Sequence, residues 1–181
     1  MKITIYTDGS CYPNPAGPGG YAFIINKNNI RTEHSKGYRS TTNNRMELLG
    51  VIDGIKECGA GKDDEIVIYS DSQYVCNGIM KGWAKKWKAG KWDKGDKPVK
   101  NPDLWNDLLA LCDKYKVEFI WIRGHSANVE NERCDVLALE ARVKYNNSVD
   151  FCFEDDTLLD EYYTNGEPKT KEVSLFEMLR S

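Results

Sequence analysis

The sequence predicts an α/β fold: a mixed five-stranded sheet, built from an antiparallel three-strand meander and two crossover strands, flanked by helices. Three observations carry this. Residues 3–38 hold three strand-like stretches separated only by turn residues, a helical apolar period follows, and two later apolar strands are each reached through a helix-length connection. A chain of 181 residues is one domain by size and long enough to bury a full core.

In Ile3 to Ser10, Thr4, Tyr6 and Asp8 share one strand face while Ile3, Ile5 and Thr7 share the other, and Gly9 lets the backbone turn. Taken alone, Asp8-Gly9-Ser10 reads first as a plain turn, and Asp8 gains interest only through its company. Cys11 to Gly20 is rich in Pro, Gly and Asn, and Tyr21–Asn26 and Thr32–Tyr38 are strands about the turn Asn28-Asn29. Thr41 to Asn44 offer N-caps for a helix with Met46, Leu49, Ile52 and Ile55 on one stripe, closed by Gly59 to Lys62. Glu65–Tyr69 is a strand of the buried type that ends in Ser70-Asp71.

A helix follows over Ser72–Met80. Lys81 to Lys100 then places eight lysines against two aspartates, interleaved with Trp83, Trp87 and Trp92. Asn101-Pro102-Asp103 is expected to cap a helix running to Tyr115, with Leu104, Leu108 and Leu111 on its apolar stripe. Glu118–Ile122 reads as a strand, Arg123–Val129 as a loop carrying His125, and Glu130–Tyr145 as a last helix with Asp135 in its early turns.

Six scattered cysteines without a Cys-x-x-Cys pair argue against a zinc site or a disulfide framework, and imply a reducing, cytoplasmic setting. The chain enters a strand without a leader, and no apolar run approaches the roughly 18 residues needed to span a bilayer. No membrane association is expected. The net charge of −3 hides an asymmetry, because residues 143–181 hold nine acidic and four basic residues. The lysine-rich stretch is a local basic face suited to a polyanion, with its tryptophans read as exposed and able to lie against sugars or bases, or else as core residues beneath a solvated charged face.

Asp8, Glu47, Asp71 and Asp135 each fall at a strand end or in an early helical turn, where side chains converge over a sheet edge. Singly, such residues are solvated or capping carboxylates. Gathered at one spot, they repel and take up protons unless cations compensate them, and hard divalent ions with carboxylate ligands fit best.

The motifs Tyr-Thr-Asp-Gly-Ser-Cys (6–11), Thr-Thr-Asn-Asn-Arg-Met-Glu-Leu (41–48), Ser-Asp-Ser-Gln-Tyr-Val (70–75), Lys-Pro-Val-Lys-Asn-Pro-Asp-Leu-Trp (97–105), Gly-His-Ser (124–126) and Asn-Glu-Arg-Cys-Asp (131–135) occur in this order. Together they make residues 1–142 resemble ribonuclease H of the bacterial HI type. The resemblance implies a ribonuclease H-like fold and endonucleolytic hydrolysis of the RNA strand of an RNA/DNA hybrid, leaving 5′-phosphate and 3′-hydroxyl ends. It implies two Mg²⁺ per site, with Mn²⁺ as a substitute; a monomer is expected.

By the same resemblance, Asp8 bridges both metals, Asp135 helps hold the water-activating one, Glu47 and Asp71 hold the other, and His125 shuttles a proton. Cys11, Asn14, Asn43, Asn44 and Gln73 match minor-groove contacts, and Thr42 and Asn101 match a pocket for a DNA phosphate. The family's arginine in that pocket has no counterpart, since Arg39 stands one position earlier and Ser40 takes its place. Lys81–Lys100 matches a basic protrusion, in which Trp83, Lys85, Lys86, Trp87 and Lys88 would grip the DNA strand.

A non-catalytic binding module would keep the lysines and tryptophans but not the carboxylate quartet. An integrase-like strand-transfer enzyme is disfavoured by the minor-groove asparagines and the protrusion. Residues 143–181 lie outside the resemblance. Their acidic and aromatic residues predict docking around Phe151–Tyr163, with Asn165–Lys171 flexible. The segment either covers apolar surface or competes with substrate phosphates at the lysine-rich face.

Overall fold

The computed structural model describes residues 1–95, 97–124, 126–144 and 147–167. Strands β1 (Lys2–Cys11), β2 (Gly19–Lys27) and β3 (Ile30–Tyr38) form the meander. Helix α1 (Asn43–Glu57) leads to β4 (Glu65–Ser70), and α2 (Gln73–Met80), α3 (Trp83–Ala89) and α4 (Pro102–Lys114) lead to β5 (Lys116–Trp121). Then come α5 (Val129–Lys144), α6 (Phe151–Glu154), a 3₁₀ turn and α7 (Asp160–Asn165). The sheet order is β3-β2-β1-β4-β5, with β1 antiparallel to β2 and parallel to β4. The first strand is therefore the middle of the sheet.

Local chemistry explains the joints. Asn28 and Asn29 take φ values of 53° and 61°, which turns β2 into β3 in two residues with the handedness that strand twist requires. The Thr42 hydroxyl accepts from Arg45 N and the Ser72 hydroxyl from Val75 N, satisfying amides left free at the starts of α1 and α2. Both faces of the sheet are covered. Ile3, Ile5, Phe23, Ile66 and Ile68 belong to a cluster completed by Leu48 and Ile52 of α1 and Leu104 and Leu108 of α4. On the other face Ala22 and Ile24 pack with Cys134 and Ala138 of α5.

Three sequence expectations change here. Asn101 has no capping side chain: its backbone sits at φ 60° and its amide turns to Tyr74 and Arg45 instead. Trp92 is not a surface tryptophan but wholly buried, and its indole Nε1 donates to Gly166 O at 2.6 Å. Asn165 and Gly166 end α7 in an ordered cap, with Gly166 at φ 86° donating to Tyr162 O. The rest of the expected flexible stretch, 168–171, lies outside the described residues. In the segment after α5, Cys152, Leu159 and Tyr162 join the larger core cluster.

The Arg45 side chain is 2% exposed and held on both sides, with Nη2 2.7 Å from Asp103 Oδ2 and Nε 2.7 Å from Asp150 Oδ2. This ties α1 to α4 and to the C-terminal segment. Asp150 also accepts from the Thr41 hydroxyl.

Candidate active site

The parallel pairing of β1 with β4 sets Thr7 opposite Ser70, so the next residues, Asp8 and Asp71, emerge together at the same end of the sheet. Glu47 reaches them from the second turn of α1. That approach depends on Gly9, because a Cβ there would lie 2.5 Å from Glu47 N. One oxygen each from Asp8, Glu47 and Asp71 fall within 4.8 Å of one another. Asp135, from α5, lines the same cleft of about 420 Å³ beside Asn43, Asn44 and Gln73 but stands outside this tight trio.

The electrostatics show strain. Burial, then Asp71 and Asp135, push the Asp8 carboxyl up to about 8, against a lowering by the Gly9 N–H that donates to Oδ1 at 2.7 Å. Glu47 is raised well above the usual carboxylate range by burial, then by the neighbouring Asp8 and Asp71. Asn43 Nδ2 donates to its Oε1 at 3.5 Å, while its Oε2 is buried with no hydrogen-bond partner among the described residues. An orphaned buried carboxylate oxygen beside two other carboxylates could ligate a hard cation, and the all-oxygen donor set fits Mg²⁺ or Mn²⁺.

The other expected site residues separate into groups. Asn43, Asn44 and Gln73 border the carboxylate cleft, and Asn14 Oδ1 accepts from Asn43 N at 3.1 Å. Thr42, Asn44, Asn14 and Asn101 line a second cleft. Cys11 is only 7% exposed, and its thiol points at the carbonyls of Pro13, Gly17 and Thr41, so the side chain braces the loop that carries Asn14. On α3, Lys85 and Lys86 are exposed, and Trp83 is 38% exposed. Trp87 packs edge-on against Trp105, and Lys88 is 3.3 Å from Glu167. His125 lies outside the described residues. Its neighbour Gly124 runs so close to the site that a Cβ would meet Asp71 Oδ2 at 2.7 Å.

Two features escaped the sequence reading. Asn131, 3% exposed, donates Nδ2 to Asp71 Oδ2 at 3.2 Å and orients that carboxylate. Its position one helical turn before Asp135 was the available signal. The Arg45–Asp103–Asp150 network had only a weak one, an arginine at the head of an apolar helical run.

The RNase H family model matches residues 1–143. The chain belongs to the ribonuclease H family. A ribonuclease H of Trichodesmium erythraeum is 50% identical over 155 residues, covering 84% of this chain and 96% of that protein. A ribonuclease HI of Synechocystis is 47% identical over 151 residues, covering 82% of this chain and 92% of that protein. Among solved structures, LC11-RNase H1 in complex with an RNA/DNA hybrid matches with a TM-score of 0.61 and 25% identity, covering 78% of this chain and 97% of that one. The five-stranded mixed sheet with helices on both faces is this family's architecture. The trio of carboxylates stands at its central strand end.

Proposed function

We propose that the protein is an endoribonuclease that hydrolyses the RNA strand of RNA/DNA hybrids, using Mg²⁺ or, in its place, Mn²⁺, and leaving 5′-phosphate and 3′-hydroxyl ends. The observation that carries this is the meeting of Asp8, Glu47 and Asp71, with a Glu47 oxygen unpartnered among the described residues, in a cleft bordered by Asn43, Asn44 and Gln73.

Asp8, Glu47, Asp71 and Asp135 would hold the ions. When bound, such a pair supplies an activated water and stabilises the leaving oxygen of the phosphodiester. The chain's own residues do the rest. Asn131 fixes the orientation of Asp71, and Asn43, Asn44 and Gln73 present amides to 2′-hydroxyls and base edges, the groups that separate RNA from DNA. His125 carries a proton to or from the reacting oxygens. The exposed lysines of α3 hold the DNA strand without reading its sequence. Residues 1–142 carry these groups and 143–181 are an appended segment. The protein acts as a cytoplasmic monomer, and among the described residues no helix is long and apolar enough to cross a membrane.

The test is incubation with end-labelled RNA/DNA, RNA/RNA and DNA/DNA duplexes, with Mg²⁺ or with chelator. Cutting confined to the RNA of the hybrid and abolished by chelator is the expected result. Equal cutting of DNA/DNA, or binding of the hybrid without cleavage at any metal concentration, would overturn the proposal.

A further inference from the structure

The lysine-rich stretch does not hold its own shape. Helix α3 is seven residues long and buries only Ala84, and the chain leaves it through Lys91 and Trp92 at φ 52° and 59°. Two successive residues with a Cβ in the left-handed region are unfavourable, and they persist only where the surroundings over-determine them. Trp92 O accepts from Val99 N at 2.7 Å, which closes residues 92–99 into a loop.

What fixes that loop comes from the far end of the described chain. Trp92 is wholly buried, and its indole N–H finds its acceptor in Gly166 O. At the other end of the loop, the Tyr163 hydroxyl donates to Val99 O at 3.1 Å. Lys91 Nζ donates to Thr164 O at 3.5 Å, and Lys88 Nζ, in the last turn of α3, stands 3.3 Å from Glu167. Residues 163–167 therefore hold both ends of the loop and the end of α3. Gly166, at φ 86°, suits this task, because its amide caps α7 on Tyr162 O while its carbonyl turns to the indole.

The C-terminal segment is in turn rooted in the body of the domain. Asp150 holds Arg45 of α1, and Leu159 and Tyr162 belong to the core cluster that contains Leu104 and Leu108 of α4. Helix α1 also carries Glu47. One packed path thus runs from an active-site carboxylate, through the C-terminal segment, to the helix that bears Lys85 and Lys86.

We propose that residues 163–166, at the end of α7, are a brace that fixes the loop 91–99 and through it the placing of the α3 lysines relative to the carboxylate cleft. Trp92 and Tyr163 are then positioning residues for hybrid binding, and Trp92 acts without touching the hybrid, since none of it is exposed. A helix already in place spares the hybrid the cost of ordering its lysines on binding. The inference rests on the hybrid reading above and on the α3 lysines as its DNA grip, and it gives a task to a segment beyond the family-matched residues 1–143.

The experiment combines steady-state cleavage of an RNA/DNA hybrid in Mg²⁺ with amide hydrogen exchange. It uses the full chain as wild type, Trp92→Phe and Tyr163→Phe, each also made in a Lys85→Ala/Lys86→Ala background. Trp92→Phe removes the indole N–H and keeps an aromatic ring, and Tyr163→Phe removes one hydroxyl at the loop's other end. Amides of residues 83–95 should exchange at least about tenfold faster in Trp92→Phe and about threefold faster in Tyr163→Phe, with those of β1 and α1 as in wild type. KM should rise about threefold to tenfold in Trp92→Phe and about twofold in Tyr163→Phe, the range that one lost hydrogen bond allows, with kcat held within about twofold. In the Lys85→Ala/Lys86→Ala background neither change should raise KM further, because the brace acts through those lysines. Faster exchange with unchanged KM would make the brace structural only and overturns the inference, as does unchanged exchange in both variants. A KM rise as large without Lys85 and Lys86 as with them overturns it too, and so does a Lys85→Ala/Lys86→Ala chain with wild-type KM. If Trp92→Phe does not fold, Tyr163→Phe decides by the same criteria. A hybrid that wild type leaves uncut would overturn the proposed function itself, a result separate from all of these.

Discussion

Replacing Asp8 by Asn should stabilise the metal-free protein while destroying its activity. The carboxyl is raised from an ordinary 3.8 to about 8, so between about pH 4 and pH 8 the folded state holds a proton that the unfolded chain has released. The sign follows: the unfolded state binds fewer protons, and metal-free stability falls as pH rises through that window, then levels off. At 1.36 kcal/mol per pH unit, the penalty is about 4 kcal/mol at pH 7 and about 6 kcal/mol above pH 8, a ceiling because water entering the cleft relaxes it. Asparagine keeps the size and an oxygen for Gly9 N–H and carries no charge, so the variant should recover roughly 2–4 kcal/mol at pH 8 and much less at pH 5. The assay is urea unfolding in chelator at pH 5 and pH 8.5, read as a shift in midpoint at constant slope. Cleavage in Mg²⁺ should drop by at least about a hundredfold, because one of the carboxylates that would hold the metal is removed. In wild type, added Mg²⁺ should raise the midpoint more at pH 8.5 than at pH 6, and in Asp8→Asn it should do little at either. A variant no more stable than wild type at pH 8.5, with an unchanged slope, would refute the claim that burying the Asp8 charge beside Asp71 and Asp135 destabilises the metal-free fold.

Asp150→Ala should cost about 3–5 kcal/mol of stability, because it leaves half of the Arg45 guanidinium buried without a partner; an unfolding midpoint near wild type would show that Asp103 alone suffices. Neutralising Lys85, Lys86 and Lys88 together should weaken every hybrid alike and lower the log–log salt slope by about 0.9 for each phosphate left without its lysine, with Lys88 contributing least because Glu167 already faces it; an unchanged slope would assign these lysines another task. His125→Ala should slow turnover severalfold to about a hundredfold without abolishing it, since water partly substitutes in proton transfer; complete inactivity with normal folding would make His125 an essential ligand or base.

What the sequence determined by itself is what neighbours along the chain decide. Alternation in Ile3–Ser10, the hydroxyls of Thr42 and Ser72 ahead of helical periods, and the paired asparagines 28 and 29 act over a few residues, and the structure places β1, α1, α2 and the first hairpin where they point. Asp8 and Asp71 were visible as site residues for the same reason: a strand that stops delivers its next side chain to a sheet edge, and parallel pairing brings two such ends together. Tertiary structure decided the rest, because burial and charge compensation depend on residues that arrive from far along the chain. Trp92 among lysines reads as surface, yet a carbonyl 74 residues later satisfies its indole and the core closes over it. Arg45 is buried only because Asp103 and Asp150, 58 and 105 positions away, neutralise it there. Asn101 has the composition of a helix cap, but the hydroxyl of Tyr74 and the guanidinium of Arg45 claim its amide. The second cleft is lined from two distant parts of the chain, the start of α1 and the segment after α5. Local pattern sets which elements form and which ends carry carboxylates, while the free energy of burying a charge or an indole N–H is settled by partners that no local window contains.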